Sequence, residues 1–148
     1  MIPAPDNWTV TLTLPCAPEY VGTARLTMLG VASRMGFTYD EIEDIRLAVG
    51  EACTGAIDRA KRAGLSESAI LTLRCLVDTS RLALEIEDNI PPATSNGTDE
   101  ENDIDPAELG AVLIEILVDE AEVKILPTGT RVCLVKHSMA IPSEIQER

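Results

Sequence analysis

Alternation of apolar and polar residues predicts the first element of this chain. From Trp8 to Leu14 the sequence reads WTVTLTL, with threonines between the apolar residues. A period of two is typical of a β-strand that buries one face. Pro15 and Pro18 end this pattern, and the residues that follow have helical spacing.

Two consecutive helices are predicted from apolar residues spaced three and four apart. The first ends near Gly36, has Arg25 off its apolar side, and carries the stripe Tyr20, Ala24, Met28, Val31 and Met35. Thr38 and Glu41 fit a capping box, which predicts where the second helix starts. That helix ends before Gly64 and buries Ile42, Ile45, Val49, Ala52 and Ala56.

Two β-hairpins and a third helix complete the predicted order. The hairpins cover about 71–86 and 123–136, and between them residues 89 to about 104 have the composition of a lid-like loop. Asp105 is the predicted N-cap of the third helix, whose apolar face is predicted to be Leu109, Val112, Leu113, Ile116 and Leu117. The order predicts one α+β domain over residues 1–148, with a mixed, mostly antiparallel sheet and helices on one face.

The net charge of the chain limits the classes of partner that it is expected to bind. Twelve Lys and Arg against 25 Asp and Glu give a net charge of -13, which disfavours direct binding to nucleic acid or to anionic membranes. An acidic surface can attract a basic protein, or can simply aid solubility. The start of the chain lacks a signal-peptide pattern and no apolar run approaches the roughly 20 residues of a membrane span, so we expect a cytoplasmic protein. The four cysteines lack metal-ligand spacing, so no metal site is predicted.

The run PEYVGTARLTMLGVASRMGFTYDEIEDIRLAVGEACTGAIDRA, residues 18–60, resembles the first two helices of the RsbW family of anti-sigma factors and serine-protein kinases. Residues 109–120 resemble the third helix of that family, which belongs to the GHKL (HATPase) superfamily with its Bergerat fold. The resemblance implies a homodimer that blocks an alternative sigma factor. It also implies phosphorylation of a serine on a STAS-domain antagonist with Mg-ATP.

The first ATP-binding box of the family is Glu-x-x-x-Asn, in which the Glu is the general base and the Asn oxygen helps to hold Mg²⁺. This sequence has Glu51 but Gly55, one helical turn apart. The resemblance therefore implies that the base position is kept. Because glycine has no side-chain oxygen, the metal ligand is missing.

The second box of the family is Asp-x-Gly, in which the Asp accepts the amino group of adenine. Here Asp88 is kept and Ile90 replaces the glycine, so a branched side chain is expected to overlap the ring. Near the C-terminus, Thr130 follows Gly129 as in the family, where the Thr hydroxyl lies near adenine. A threonine at the start of a strand also needs no ligand to explain it.

The third box of the family is rich in glycine and binds phosphates at a helix N-terminus. Only Gly110 matches it, and Glu108 would repel a triphosphate. Asp105 is predicted to cap the free amides that phosphate would otherwise bind. The nucleotide site is therefore expected to be vestigial, with no cofactor unless a working pocket still takes Mg-ATP or Mg-ADP.

Three functions follow from these residues. The first is an anti-sigma-like protein that exchanges a sigma factor for a STAS-domain antagonist without kinase activity. Arg25 matches the family arginine that contacts both partners, and its place off the apolar stripe predicts an exposed side chain. The second is an active serine kinase with Glu51 as base and Asp88 on adenine. The third is a scaffold that binds STAS proteins but no sigma factor.

Overall fold

The computed structural model describes residues 8–78, 80–92 and 106–138. Along these ranges lie β1 (Trp8–Pro15), α1 (Val21–Ala32), α2 (Tyr39–Ala63), β2 (Ile70–Val77), β3 (Arg81–Asp88), α3 (Pro106–Leu117), β4 (Glu120–Leu126) and β5 (Gly129–His137). None of the helices in these ranges has the length and apolar character needed to cross a membrane. Most of the predicted lid, from 93 to 104, falls outside the described residues.

The five strands form one sheet in the order β1-β2-β3-β5-β4. All four strand pairings are antiparallel, which confirms the predicted α+β class. The sheet was expected to be mixed, but the described strands contain no parallel pair. Burial alternates along β2 and β3, because one face of the sheet carries the core and the other carries charged pairs. On that second face Arg74 lies 3.1 Å from Glu85, and Arg131 lies 3.0 Å from Glu87.

Helix α2 is fixed at both ends by the residues that predict it. The hydroxyl of Thr38 accepts a hydrogen bond from the Glu41 backbone N–H, and the Glu41 carboxylate accepts one from the Thr38 backbone N–H at 2.8 Å. Gly64 ends the helix in the left-handed conformation, at φ 72°. Because α2 packs between α1 and α3, its residues reach the sheet and both neighbouring helices.

The start and end of α1 differ by a few residues from the prediction. The helix begins at Val21, because Tyr20 belongs to a short 3-10 turn, Pro18–Tyr20, and is 39% exposed. It ends at Ala32 rather than near Gly36. The buried side of the helix is Ala24, Met28 and Ala32, and Val31 and Met35 pack against the edge of the core.

The apolar face predicted for α3 is wrong at three of its five positions, whereas Leu117 packs against the core and the side chain of Leu109 lies outside the described residues. The side chains of Val112, Leu113 and Ile116 are exposed, that of Ile116 by 72%. Ile114 is buried, and so is Val118, which follows the last residue of the helix. The helix is apolar on nearly every side, so its sequence period does not say which side faces inward. The side that packs inward carries Gly110, which is buried against α2.

Candidate functional site

The carboxylate of Asp88 is the most buried charged group of the described chain and lies where β3 ends. Its side chain is 0% exposed. One oxygen, Oδ1, accepts hydrogen bonds from the backbone N–H of Ile90 at 2.9 Å and of Thr130 at 3.1 Å. The structure therefore brings together three residues that the sequence predicted for one site.

The other oxygen of Asp88 is bound by an arginine that the sequence analysis did not identify. Arg59 on α2 donates to Oδ2 from Nε at 3.1 Å and from Nη2 at 2.7 Å. The arginine side chain is 23% exposed, so the ion pair is largely shielded from water. Hydrogen bonds to an ionised partner at such distances are among the stronger ones in proteins.

Gly129 allows β5 to approach Asp88 closely. A Cβ at this position would overlap the backbone carbonyl oxygen of Asp88 and would lie 3.1 Å from its Oδ1. The absence of a side chain thus lets the next residue, Thr130, point its backbone N–H at the carboxylate. Thr130 is itself 4% exposed.

The side chain of Ile90 belongs to the hydrophobic core and is 3% exposed. Just before it, the Asn89 side chain accepts a hydrogen bond from the backbone N–H of Ile70 at 2.9 Å. This bond fastens the end of β3 to the start of β2. Ile90 is consequently held inward, and its branched side chain contributes to packing.

Glu51 and Gly55 lie one turn apart on α2 but meet different surroundings. A Cβ at Gly110 would lie 2.9 Å from Oε2 of Glu51, so the carboxylate rests against the backbone of α3. A Cβ at Gly55 would lie 3.5 Å from Nη1 of Arg59. The position that holds the metal ligand in the family is therefore next to the arginine that binds Asp88.

Arg25 is more buried than its position off the apolar stripe predicted. The residue is half-buried, and its Nε is buried without a hydrogen-bond partner among the described residues. The cause is Gly50 on α2: a Cβ there would lie 2.5 Å from Nη2 of Arg25 and 2.7 Å from Nε. Because position 50 has no side chain, the guanidinium of Arg25 lies close to where a Cβ at that position would be.

Comparisons with known proteins agree with this geometry. The family model described as a histidine kinase-like ATPase domain matches residues 14–136. The serine-protein kinase RsbW of Bacillus pumilus is 36% identical over 140 residues, covering 86% of this chain and 84% of that protein, and RsbW of Bacillus subtilis gives the same figures. The chain belongs to the RsbW family.

Two solved structures share the fold of this RsbW-family chain. A crystal structure of the RsbU and RsbW domains of a Mycobacterium tuberculosis protein aligns with a TM-score of 0.67 at 17% identity, covering 88% of this chain and 32% of that one. The histidine kinase domain of a blue-light activated kinase from Erythrobacter litoralis gives 0.52 at 20% identity, covering 88% and 64%. At these identities the likeness shows the fold alone.

In this RsbW-family chain, the residues at the family's nucleotide positions make contacts within the chain itself. The Asp88 carboxylate is bonded on both oxygens, the Ile90 side chain packs in the core, and Gly55 has no side-chain oxygen to offer a cation. Two of the predicted site features lie outside the described residues, namely Asp105 and the side chain of Glu108. The capping role of Asp105 and the repulsion by Glu108 stay predictions.

Arg59 and Gly50 are the contributors that the sequence did not indicate, whereas Gly129 was expected beside Thr130 without its close approach to Asp88. Arg59 lies four residues after Gly55, one turn further on α2, so helical spacing alone placed it near the first ATP box. Its partner Asp88 is 29 residues away. No local pattern indicates that contact, nor the close approach of Arg25 to Gly50.

Proposed function

We propose that this chain is a regulatory binding protein of the RsbW type that sequesters an alternative sigma factor and exchanges it for a STAS-domain antagonist. In this proposal the chain neither binds ATP nor phosphorylates its antagonist. The absence of ATP binding is supported by the Asp88 carboxylate, whose two oxygens are already bonded within the chain. An adenine amino group has no free acceptor there.

Partner binding in the proposal centres on Arg25, carried over from the family resemblance. Its guanidinium is held over α2 by the space at Gly50, and arginine in a fixed position loses less entropy on binding than a freely moving one. The net charge of -13 favours encounter with a basic partner over nucleic acid. Binding to a sigma factor and to an antagonist through one surface makes the two partners compete.

A homodimer in the cytoplasm is part of the same proposal. Strand β1 is an edge of the sheet, and its Val10 is 36% exposed beside α1. A groove of about 470 Å³ lies there, lined by residues that include Val31, Met35 and Val77. An apolar edge of this kind suits contact with a second copy.

An active serine-protein kinase is the second candidate. Proteins named serine-protein kinase RsbW are 36% identical to this chain, and Glu51 and Asp88 stand at the family's base and adenine positions. Phosphotransfer from labelled ATP to a STAS-domain protein from the same genome tests it. Incorporation of label that disappears in Glu51→Gln would favour the kinase over the nucleotide-free regulator.

The first proposal is tested by surface plasmon resonance against sigma factors and STAS-domain proteins from the same genome. We expect saturable binding that is unaffected by Mg-ATP, and its loss in Arg25→Glu. Lys61→Glu is the matched control, because it makes the same charge change at an exposed position in the last turn of α2. Binding to neither class of protein, or equal loss in both variants, contradicts the proposal.

A further inference from the structure

The carboxylate of Asp88 has all of its acceptor positions in use. Two carboxylate oxygens offer about four lone-pair sites in all. Oδ1 takes the backbone N–H groups of Ile90 and Thr130, and Oδ2 takes Nε and Nη2 of Arg59. A ligand N–H can therefore bond to this carboxylate only after one of these donors leaves.

Only one of the donors is free to leave without moving the backbone. The N–H of Thr130 belongs to β5 and is held by its pairing in the sheet, and Ile90 is anchored by its buried side chain. Arg59 reaches Asp88 by a long side chain that is 23% exposed. Rotation of that side chain would release Oδ2.

We propose that Arg59 occupies the place on Asp88 that the exocyclic amino group of an adenine-type base would take, and so excludes such nucleotides from this site. This proposal rests on the proposed loss of nucleotide binding and names Arg59 as a residue that causes it. Arg59 acts here as a specificity-determining residue. It supplies the N–H donors and the positive charge that keep a buried carboxylate satisfied without a ligand.

Gly55 supports this assignment from the same helix. A Cβ at position 55 would already be in van der Waals contact with Nη1 of Arg59, at 3.5 Å. A longer side chain at that position would extend into the region of the guanidinium. Gly55 therefore leaves room for the guanidinium of Arg59, and the two residues together support a site that holds no nucleotide.

The test compares nucleotide binding in the full chain and in Arg59→Met by isothermal titration calorimetry. Wild type should give no saturable heat with ADP at concentrations up to roughly 1 mM. Arg59→Met should bind ADP with a Kd of about 0.1 mM or lower, at least about tenfold below that limit. Inosine diphosphate, which lacks the exocyclic amino group, should gain nothing. Arg62→Met, one turn along on the exposed side of α2, removes the same charge and should behave as wild type.

Several results would overturn the inference. Folded Arg59→Met that binds ADP no better than wild type shows that Arg59 does not exclude the base. Equal gains for ADP and inosine diphosphate show that it does not occupy the amino position. If Arg59→Met does not fold, Arg59→Ala is titrated instead, because alanine removes every donor to Oδ2 and suits a helix, and the same outcomes apply.

The failure of this inference can be told apart from failure of the proposed function. Saturable ADP binding by wild type contradicts both the exclusion by Arg59 and the proposed loss of nucleotide binding. Absence of binding in wild type and in Arg59→Met contradicts the exclusion alone. Binding to sigma factor or STAS-domain protein is measured separately on wild type and is independent of either result.

Discussion

The guanidinium of Arg25 lies in the space left by Gly50, where an added Cβ would come within 2.5 Å of Nη2. This contact joins α1 to α2 and holds a positive charge at the boundary between the two helices. The Nε of Arg25 is buried without a hydrogen-bond partner in the part of the chain that the structure describes. Leaving such a donor unbonded costs about 1–3 kcal/mol, which other contacts of the side chain have to offset.

Gly50→Ala should move Arg25 without unfolding the protein. The obstacle is the far end of a flexible side chain, and alanine gains up to about 1 kcal/mol over glycine within a helix. We expect the unfolding free energy in urea to change by less than about 1 kcal/mol, whereas affinity for the partner falls at least about fivefold because the arginine loses its fixed position. Unchanged affinity in Gly50→Ala, with binding lost in Arg25→Glu, would show that Arg25 binds without being held by α2.

Gly129→Ala should be strongly destabilising. Its Cβ would overlap the carbonyl oxygen of Asp88, and both groups are backbone or attached to it, so neither can turn aside. Overpacking of this kind costs about 1–3 kcal/mol, and here it also pulls the Thr130 N–H away from Asp88. Gly22→Ala on α1 is the control, because nothing lies within 4 Å of its added Cβ. Equal urea midpoints for the two variants would contradict the close approach of β5 to β3.

The stability of the protein should fall above pH 9, and Cys53 should account for part of the fall. Burial raises the pKa of this thiol to about 12. Between the ordinary thiol pKa and that value the unfolded chain loses a proton that the folded chain keeps. Rising pH therefore favours unfolding, by about 1.4 kcal/mol per pH unit for one thiol.

The measurement is urea unfolding of wild type and Cys53→Ala at several values between pH 9 and pH 11. The variant should start less stable but lose stability less steeply, by roughly one proton. Cys133→Ala should change the slope less, since Cys133 is only half-buried on the open face of the sheet, although burial raises the pKa of its thiol as well. The same slope in wild type and Cys53→Ala would show that this thiol ionises in the folded protein.

The elements of the fold were predictable where the signals are local. The capping pair Thr38 and Glu41 is three residues apart, and Gly64 ends the same helix at the predicted place. Alternation in the strands needs only neighbouring residues to be read. Helix α3 was predicted, but part of its buried side was not, because the helix is apolar on several sides, as the exposed Ile116 shows, and only its packing against α2 selects the inward side.

The site was predictable in part, and only through the family resemblance. Asp88, Ile90 and Thr130 were expected together and do meet, although 42 residues separate Asp88 from Thr130. The ion pair between Arg59 and Asp88 was not expected, because an arginine on a helix is ordinarily solvated. No pattern in the neighbouring sequence indicates that Asp88 is its partner. The degree of exposure of Arg25 was misjudged for a similar reason, since the small residue beneath it lies on another helix.

The central claim is that this RsbW-family chain works without nucleotide, and the most direct measurement is its melting temperature in the presence of Mg-ATP and Mg-ADP. A ligand that binds only the native state stabilises it by an amount that grows with the logarithm of its concentration relative to Kd, about 2.7 kcal/mol at about 100 times Kd. Because the Asp88 carboxylate is bonded on both oxygens, we expect no shift in melting temperature at roughly 1 mM of either nucleotide. A reproducible rise, larger than that caused by magnesium alone and absent in Asp88→Asn, would contradict it.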